Sequence, residues 1–319
     1  MLFRSWSEPY TWAYFQPLVA GIHPDLGLQI IPVDYSTTAG FGIQINANIA
    51  RMQLMPYLRA FKKSSNVAAV QFDVVGHSMG GLIARALPTL PMVPDLSYGR
   101  GFIHKLFTLD TPHTGSELAN TLLESSPRCQ ALFNFAGLPV GDNIKDLRVG
   151  SQLLATLQVP RQGISAHVFG STASVFQKLT TELELLVLKA LVKKAPGGIS
   201  DVIEDAVCLN LLPRGLSPLG GGFDKLFHGP NDLIVSLNSQ LGVGVSFPGD
   251  FLPPSDTFAN TVHTVIPFLL PIGPDVLQRD VLFVITVGPS AGFAPLSATK
   301  VLQFLNQPVY GPAFGLIRP

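Results

Sequence analysis

The sequence carries little charge, and the charge that it carries is balanced. Charged residues make up 13% of the 319 positions, and Lys+Arg and Asp+Glu both total 21, so the formal net charge is zero. Proteins that bind nucleic acid or an anionic membrane surface present an excess of basic residues. We therefore expect no nucleic-acid partner and no electrostatic attachment to a membrane.

Long apolar runs are also missing. The most hydrophobic stretch, Leu179 to Val192, is interrupted by Glu182, Glu184 and Lys189, so we expect no membrane-spanning helix. The opening residues 1–6 lack the basic region, apolar run and cleavage site of a secretory signal. The cellular location therefore stays open, with secretion or association with the cell as alternatives if an N-terminal segment is missing from this sequence.

Cysteine is scarce, since the chain contains only Cys129 and Cys208. Two cysteines exclude a disulfide framework, and neither lies at metal-ligand or C-x-x-C spacing. One disulfide between them stays open. We expect neither a metal nor another cofactor.

Apolar residues are abundant, at 47% of the chain, which exceeds the usage of an ordinary soluble domain. Apolar runs predict strands, and helical patterns lie between them. This alternation predicts βαβ units, hence an α/β fold with a doubly wound, mostly parallel sheet. The predicted strands are 28–33, 67–75, 102–109 and 164–169, and the main predicted helices are 43–61 and 81–87.

The length fits one domain over residues 1–319 that carries insertions. Residues 116–163 and 171–228 have helical patterns without strong strand signals, and we predict that they form cap or lid insertions. Their apolar side chains are candidates to shelter an acyl chain, although packing onto the core explains them equally well. These side chains are Leu122, Leu123, Leu132, Phe133, Phe135, Leu183, Leu186, Leu188 and Leu191.

The segment Gly76-His77-Ser78-Met79-Gly80 follows the predicted strand 67–75 and precedes a helix. This G-x-S-x-G pattern in a strand-turn-helix context is typical of a nucleophile elbow, which projects the serine above the sheet. The turn also brings the Met79 N–H to a helix N-terminus, where it can stabilise an oxyanion. The pattern predicts Ser78 as a nucleophile and Met79 as an oxyanion-hole donor.

A serine nucleophile needs a base and an acid, which follow it in the order acid and then histidine in this type of fold. His263 lies late enough in the chain to be the general base. Asp232, in the turn-forming segment Gly229-Pro230-Asn231-Asp232, is the preferred acid. Asp110, at the end of the predicted strand 102–109, is the alternative.

Three segments resemble the bacterial triacylglycerol lipases and related esterases of the α/β-hydrolase fold. They are Gly76 to Gly81, Thr108-Leu109-Asp110-Thr111-Pro112-His113-Thr114-Gly115-Ser116, and Asp146 to Ser151. The loop around Asp232 is also similar, but Leu233 stands where that family usually has Gly. The resemblance, over roughly residues 2–265, implies that His113 is structural and that His77 lines the site without transferring protons.

These residues predict a lipase-like carboxylic ester hydrolase that works through an acyl-enzyme on small-molecule or lipid esters with apolar acyl groups. A thioesterase or acyltransferase with the same triad is an alternative, and so is a catalytically impaired lipase-like binding module. Contact with a lipid interface and the oligomeric state are left open.

The beginning of the chain departs from the family's pattern. These lipases carry His-Gly and an apolar residue after an early strand, and no His-Gly precedes the helical run 10–19 here. We therefore expect that the first strand is missing and that Leu2 supplies the second oxyanion-hole donor. An N-terminal extension with a His-Gly strand would then raise activity, because losing one such donor costs about 10²–10³ in kcat.

Overall fold

The computed structural model describes the central part of the chain and several shorter segments. The described residues are 2–4, 17, 30–65, 71–91, 101–125, 127, 130, 140–157, 164–179, 221–244, 255–261, 263, 267–270, 281–284, 295–305, 307–309 and 313–314. Both cysteines, most of the predicted helical run 10–19 and most of the second predicted insertion, 171–228, lie outside these residues.

The described residues include seven strands and eight α-helices. The strands are β1 (Leu2–Arg4), β2 (Phe72–His77), β3 (Ile103–Leu109), β4 (Ser165–Thr172), β5 (Ser255–Ala259), β6 (Pro267–Leu270) and β7 (Val281–Val284). The helices are α1 (Ile43–Ser65), α2 (Met79–Ala86), α3 (Glu117–Glu124), α4 (Asp142–Asp146), α5 (Gln152–Leu157), α6 (Gly221–Leu226), α7 (Leu237–Gln240) and α8 (Pro295–Leu305).

The first five strands form one parallel sheet in the order β1-β2-β3-β4-β5. Strands β6 and β7 form a separate antiparallel pair. The prediction of a mostly parallel sheet is confirmed, and β2 continues past the predicted end at Val75 to His77. The prediction of a strand at 28–33 is wrong for its described part, because residues 30–33 form no regular strand.

Alternate residues of the strands face opposite sides of the sheet, as the period of two requires. Val74 and Leu106 belong to one buried cluster, which also contains residues of α1 and α2. Val75 and Phe107 belong to a second buried cluster, which includes Val301 of α8. Helices therefore cover both faces of the sheet, as a doubly wound arrangement requires.

The described part of the first predicted insertion packs onto the main core. Leu122 of α3, Ile144 of α4 and Leu154 of α5 are buried in the same cluster as α1 and α2. Asp146 Oδ2 accepts a hydrogen bond from the Ile43 N–H at 2.7 Å, which caps the first turn of α1. Leu122 thus packs into the core, as the second interpretation of this insertion expects.

The start of the chain differs from the expectation of a missing first strand. Residues Leu2–Arg4 form β1, which pairs with β2 so that Leu2 lies opposite Val75 and Arg4 opposite His77. A parallel strand therefore occupies the position beside the predicted nucleophile strand.

None of the described helices combines the length and the apolar character that crossing a bilayer requires.

Candidate active site

Ser78 occupies a strained turn between the last residue of β2 and the first residue of α2. Its backbone has φ 55° and ψ −134°, a conformation that L-residues with a side chain rarely adopt. The cost is of order 1–3 kcal/mol and must be offset by the surrounding structure. Part of that offset is a hydrogen bond from the Ser78 N–H to the Leu109 carbonyl at 2.9 Å, which continues the pairing of β2 with β3.

Close packing explains why two positions around this turn are glycine. A Cβ on Gly76 would lie 2.7 Å from the backbone N and Cα of Gly81. A Cβ on Gly81 would overlap the side chain of Thr111, in the loop after β3. Glycine at both positions lets β2, α2 and the loop after β3 approach closely enough to hold Ser78 in place.

The structure brings together the three residues that the sequence predicts as nucleophile, base and acid. His263 Nε2 lies 2.7 Å from Ser78 Oγ, and His263 Nδ1 lies 2.7 Å from Asp232 Oδ2. His263 and Asp232 are buried, whereas Ser78 is half-buried. Asp232, and not Asp110, is therefore the carboxylate bonded to the ring of His263.

The loop that carries Asp232 fixes its carboxylate in one orientation. Asp232 Oδ1 accepts hydrogen bonds from the N–H groups of Ile234, at 3.0 Å, and Val235, at 2.7 Å. The Asp232 carbonyl accepts a hydrogen bond from the His263 N–H at 3.1 Å. These contacts hold the carboxylate so that its other oxygen, Oδ2, faces His263 Nδ1.

The other histidines after Ser78 have structural surroundings or lie at the surface. His113 is fully buried, and its Nδ1 lies 3.1 Å from Arg85 Nη1 and its Nε2 3.0 Å from Thr108 Oγ1. Burial, helped by the nearby Arg85 charge, holds the pKa of His113 well below its usual value, so the ring stays neutral.

His167 and His104 pair with carboxylates away from Ser78. His167 Nε2 lies 3.3 Å from Asp256 Oδ2, and His104 Nδ1 lies 2.8 Å from Asp73 Oδ1. His228 is exposed in the turn before Asp232.

Two further buried groups, His77 and Asp110, lie next to His263. The Nε2–H of His77 donates a hydrogen bond to the His263 carbonyl at 3.0 Å, so His77 contacts the predicted base. Asp110 Oδ2 lies 3.9 Å from His77 Nε2. Burial, and then the charge of Asp232, raise the pKa of Asp110 well above its usual value.

The two predicted oxyanion-hole donors have different surroundings. Met79 is the first residue of α2, and the first N–H groups of a helix have no partner within it. Leu2 lies within β1 opposite Val75, three residues before Ser78, which is about 10 Å along a strand. The expectation that Leu2 occupies a loop beside Ser78 is therefore wrong.

Among the described residues, one group of three side chains has atoms of the kind that bind metals. His77, Asp110 and His263 offer nitrogen and oxygen atoms that all lie within 4.8 Å of one another. Both ring nitrogens of His263 already bond to Asp232 and Ser78, and Nε2 of His77 bonds to a carbonyl. Since a metal bound to His263 would displace one of its two hydrogen bonds, we assign no metal to this group.

The part of the chain that contains the turn at Ser78 matches a known protein family. Residues 36–126, which contain α1, β2, α2, β3 and α3, match the family described as PGAP1-like alpha/beta domain. Together with the parallel sheet and the helices on both of its faces, this match shows an α/β fold. No curated protein matches the chain significantly.

Several solved structures are similar to this chain at low identity. The mature lipase BlEst2 of Bacillus licheniformis is 16% identical with a TM-score of 0.43, over 82% of this chain and 83% of the lipase. Phospholipase PlaB of Legionella pneumophila is 17% identical with a TM-score of 0.38, over 54% of this chain and 38% of the phospholipase. The metagenomic carboxyl esterase MGS0156 is 15% identical with a TM-score of 0.44, over 95% of this chain and 74% of the esterase.

Leu233, the departure from the lipase pattern, has the backbone conformation that glycine favours. Its φ is 81°, in the region where a side chain costs about 1–2 kcal/mol. The side chain is nevertheless buried against Ala173, Phe223 and Phe227. Burial of a leucine contributes about 1.5–3 kcal/mol, so the packing offsets the strain.

This balance predicts an inverted order of stability at position 233. Leu233→Ala loses the packing and keeps the strain, whereas Leu233→Gly loses both, so we expect Leu233→Gly to be more stable than Leu233→Ala by about 1 kcal/mol. Leu122, in the helix α3, is the control, because there glycine should be less stable than alanine by about 1 kcal/mol. Denaturant unfolding measures both pairs. The same order at both positions would contradict the interpretation of Leu233.

Proposed function

We propose that this chain hydrolyses carboxylic esters, with Ser78 as nucleophile, His263 as general base and then acid, and Asp232 as the carboxylate that orients His263. Ser78 Oγ attacks the ester carbonyl while its proton passes to His263 Nε2, and the alcohol leaves with that proton. Water then attacks the acyl-enzyme through the same base and releases the carboxylic acid.

The single observation that carries the proposal is the continuous pair of 2.7 Å contacts from Asp232 through His263 to Ser78. The residues at its two ends belong to loops far apart in the chain, and a base within this distance of a serine hydroxyl is the arrangement that activates it. The strained turn at Ser78 supports the same reading, because backbone strain of this kind clusters at active sites.

An oxyanion-hole donor completes the proposal. We assign this role to the N–H of Met79, because it directly follows the nucleophile at the start of α2, where backbone donors and the helix dipole favour negative charge. Leu2 is not proposed for this role.

The first test of the proposed mechanism is non-additivity. Because Ser78 and His263 act on one proton transfer, we expect Ser78→Ala or His263→Ala alone to lower kcat by about 10⁴–10⁶, and the double variant to lose little more. Hydrolysis of a chromogenic ester by the purified variants measures this.

His167→Ala supplies a matched control, since His167 is also a buried histidine bonded to an aspartate but lies away from Ser78. Its kcat per folded molecule should stay close to that of the unaltered chain. Turnover that survives Ser78→Ala would contradict the proposed mechanism.

The proposed substrate class is an ester with an apolar acyl group. Two apolar side chains, Val175 and Phe176, are 56% and 69% exposed just beyond the carboxyl end of β4. Ser78 lies beyond the carboxyl end of the parallel strand β2, so these side chains lie at the same edge of the sheet. Exposed apolar side chains near a catalytic site favour apolar ligands.

This substrate class predicts a dependence on acyl length. Across a series of p-nitrophenyl esters, kcat/KM should rise from acetyl to medium acyl chains, by up to about fourfold per added methylene, since each buried CH₂ contributes about 0.8 kcal/mol. Phe176→Ser should flatten this dependence without changing turnover of the acetyl ester. An optimum at acetyl or propionyl would instead indicate a short-chain esterase.

A further inference from the structure

Two fully buried carboxyl groups lie near the same histidine. Asp232 Oδ2 bonds to His263 Nδ1. Asp110 follows β3 directly, and one of its oxygens, a ring nitrogen of His263 and a ring nitrogen of His77 all lie within 4.8 Å of one another. The proposed mechanism uses only Asp232, which leaves Asp110 without a role.

The hydrogen bonds of the two carboxyl groups differ sharply. Asp232 accepts three, from Ile234, Val235 and His263. No described residue makes a hydrogen bond of good geometry to either oxygen of Asp110. The Ser171 hydroxyl is close enough to Asp110 to lower the pKa of its carboxyl, but the two groups are not aligned as a hydrogen bond requires.

This difference decides which carboxyl carries the charge. Two buried carboxylates that face one histidine cannot both ionise cheaply, and the one with the better hydrogen bonds keeps the charge. The raised pKa of Asp110, for which burial is the largest cause, favours the protonated form of that carboxyl. One of the causes of that raised pKa is the charge of Asp232 itself.

Asp110 is also held in a conformation that its surroundings must stabilise. Its φ is 49°, a region that aspartate tolerates better than most residues but not without cost. The Asp110 N–H donates to the Phe169 carbonyl at 2.9 Å, which anchors the turn to β4. The carboxyl is thus fixed beside His77 and His263 by the backbone and not by bonds of its own.

We propose that Asp110 is a reserve carboxylate for His263, which accepts the charge and orients the ring when Asp232 is neutralised. This inference rests on the proposed function. Removing the charge of Asp232 removes one cause of the protonation of Asp110, so the second carboxyl ionises more readily. A hydrogen bond to His263 then needs a side-chain movement of about 2 Å or one bridging water.

The test is a double-mutant cycle on kcat for ester hydrolysis. We expect Asp232→Asn to cost about 10², and Asp110→Asn/Asp232→Asn about 10⁴, the loss that follows when the base has no orienting carboxylate. Asp110→Asn alone should cost less than Asp232→Asn. The matched control is the double variant Asp73→Asn/Asp232→Asn, because Asp73 is a carboxylate that pairs with His104 away from the site. Its kcat should equal that of Asp232→Asn alone.

A pH profile separates this positioning role from a structural one. The groups that face Asp110 are His77, His263 and Asp232, together with the hydroxyl of Ser171. In Asp232→Asn, a buried carboxyl of raised pKa must ionise, so the acid limb of kcat/KM should lie at higher pH than in the unaltered chain. The double variant should lack this displaced limb.

Asparagine at position 110 tolerates a positive φ, and Asp110→Gly, which fits it without strain, is the second variant if the first does not fold. Equal loss in Asp232→Asn and in the double variant, with the pH profile unmoved, would overturn the reserve role. A different result, turnover that persists in Ser78→Ala, would contradict the proposed function itself.

Discussion

The hydrogen bond between His263 Nδ1 and Asp232 Oδ2 is the contact on which the candidate site depends. It joins two loops, the one after β5 and the one that precedes α7, and it is reinforced by the bond from the His263 N–H to the Asp232 carbonyl. If these contacts were lost, the ring would be free to turn away from Ser78. The site is therefore specified by how two loops meet rather than by the elbow alone.

Those loops are positioned by backbone bonds that continue the pairing of the sheet past the ends of its strands. The N–H of Ala173 bonds to Asn231, and the N–H of Thr261 bonds to Thr172. Similar bonds hold the turns that follow β2 and β3. Because all five strands are parallel, these extensions meet at one edge, where loops of a rigid sheet commonly carry function.

Backbone strain is concentrated at the same edge. Among the described residues, the side-chain-bearing positions with positive φ are Ser78, Asp110, His228, Leu233 and Asn260, and each lies in a turn or loop close to the candidate site. Such conformations persist only where the surroundings over-determine them. The sheet and the buried clusters supply the stability that these loops lack.

Much of the fold could be predicted from the sequence, because apolar runs and helical spacing are local signals. The elbow at Ser78 is equally local, and the histidine and acid could be selected by their order in the chain. The sequence offers Asp110 only as an alternative to Asp232. It could not predict that both carboxyls lie near His263, since this depends on how β3 and β5 end relative to each other in space. The sequence could not predict the position of Leu2, because a three-residue strand has no apolar pattern of its own. The pairing of β1 with β2 decides where Leu2 lies.

The measurement that tests the account most directly is labelling by a fluorophosphonate probe, followed by peptide mass spectrometry. Such a probe reacts with a serine only when a base has activated it, so it distinguishes a catalytic site from a lipase-like binding module. The account predicts one label, on Ser78, which disappears in His263→Ala while the fold is kept. An unlabelled native chain, or a label on another serine, would contradict it.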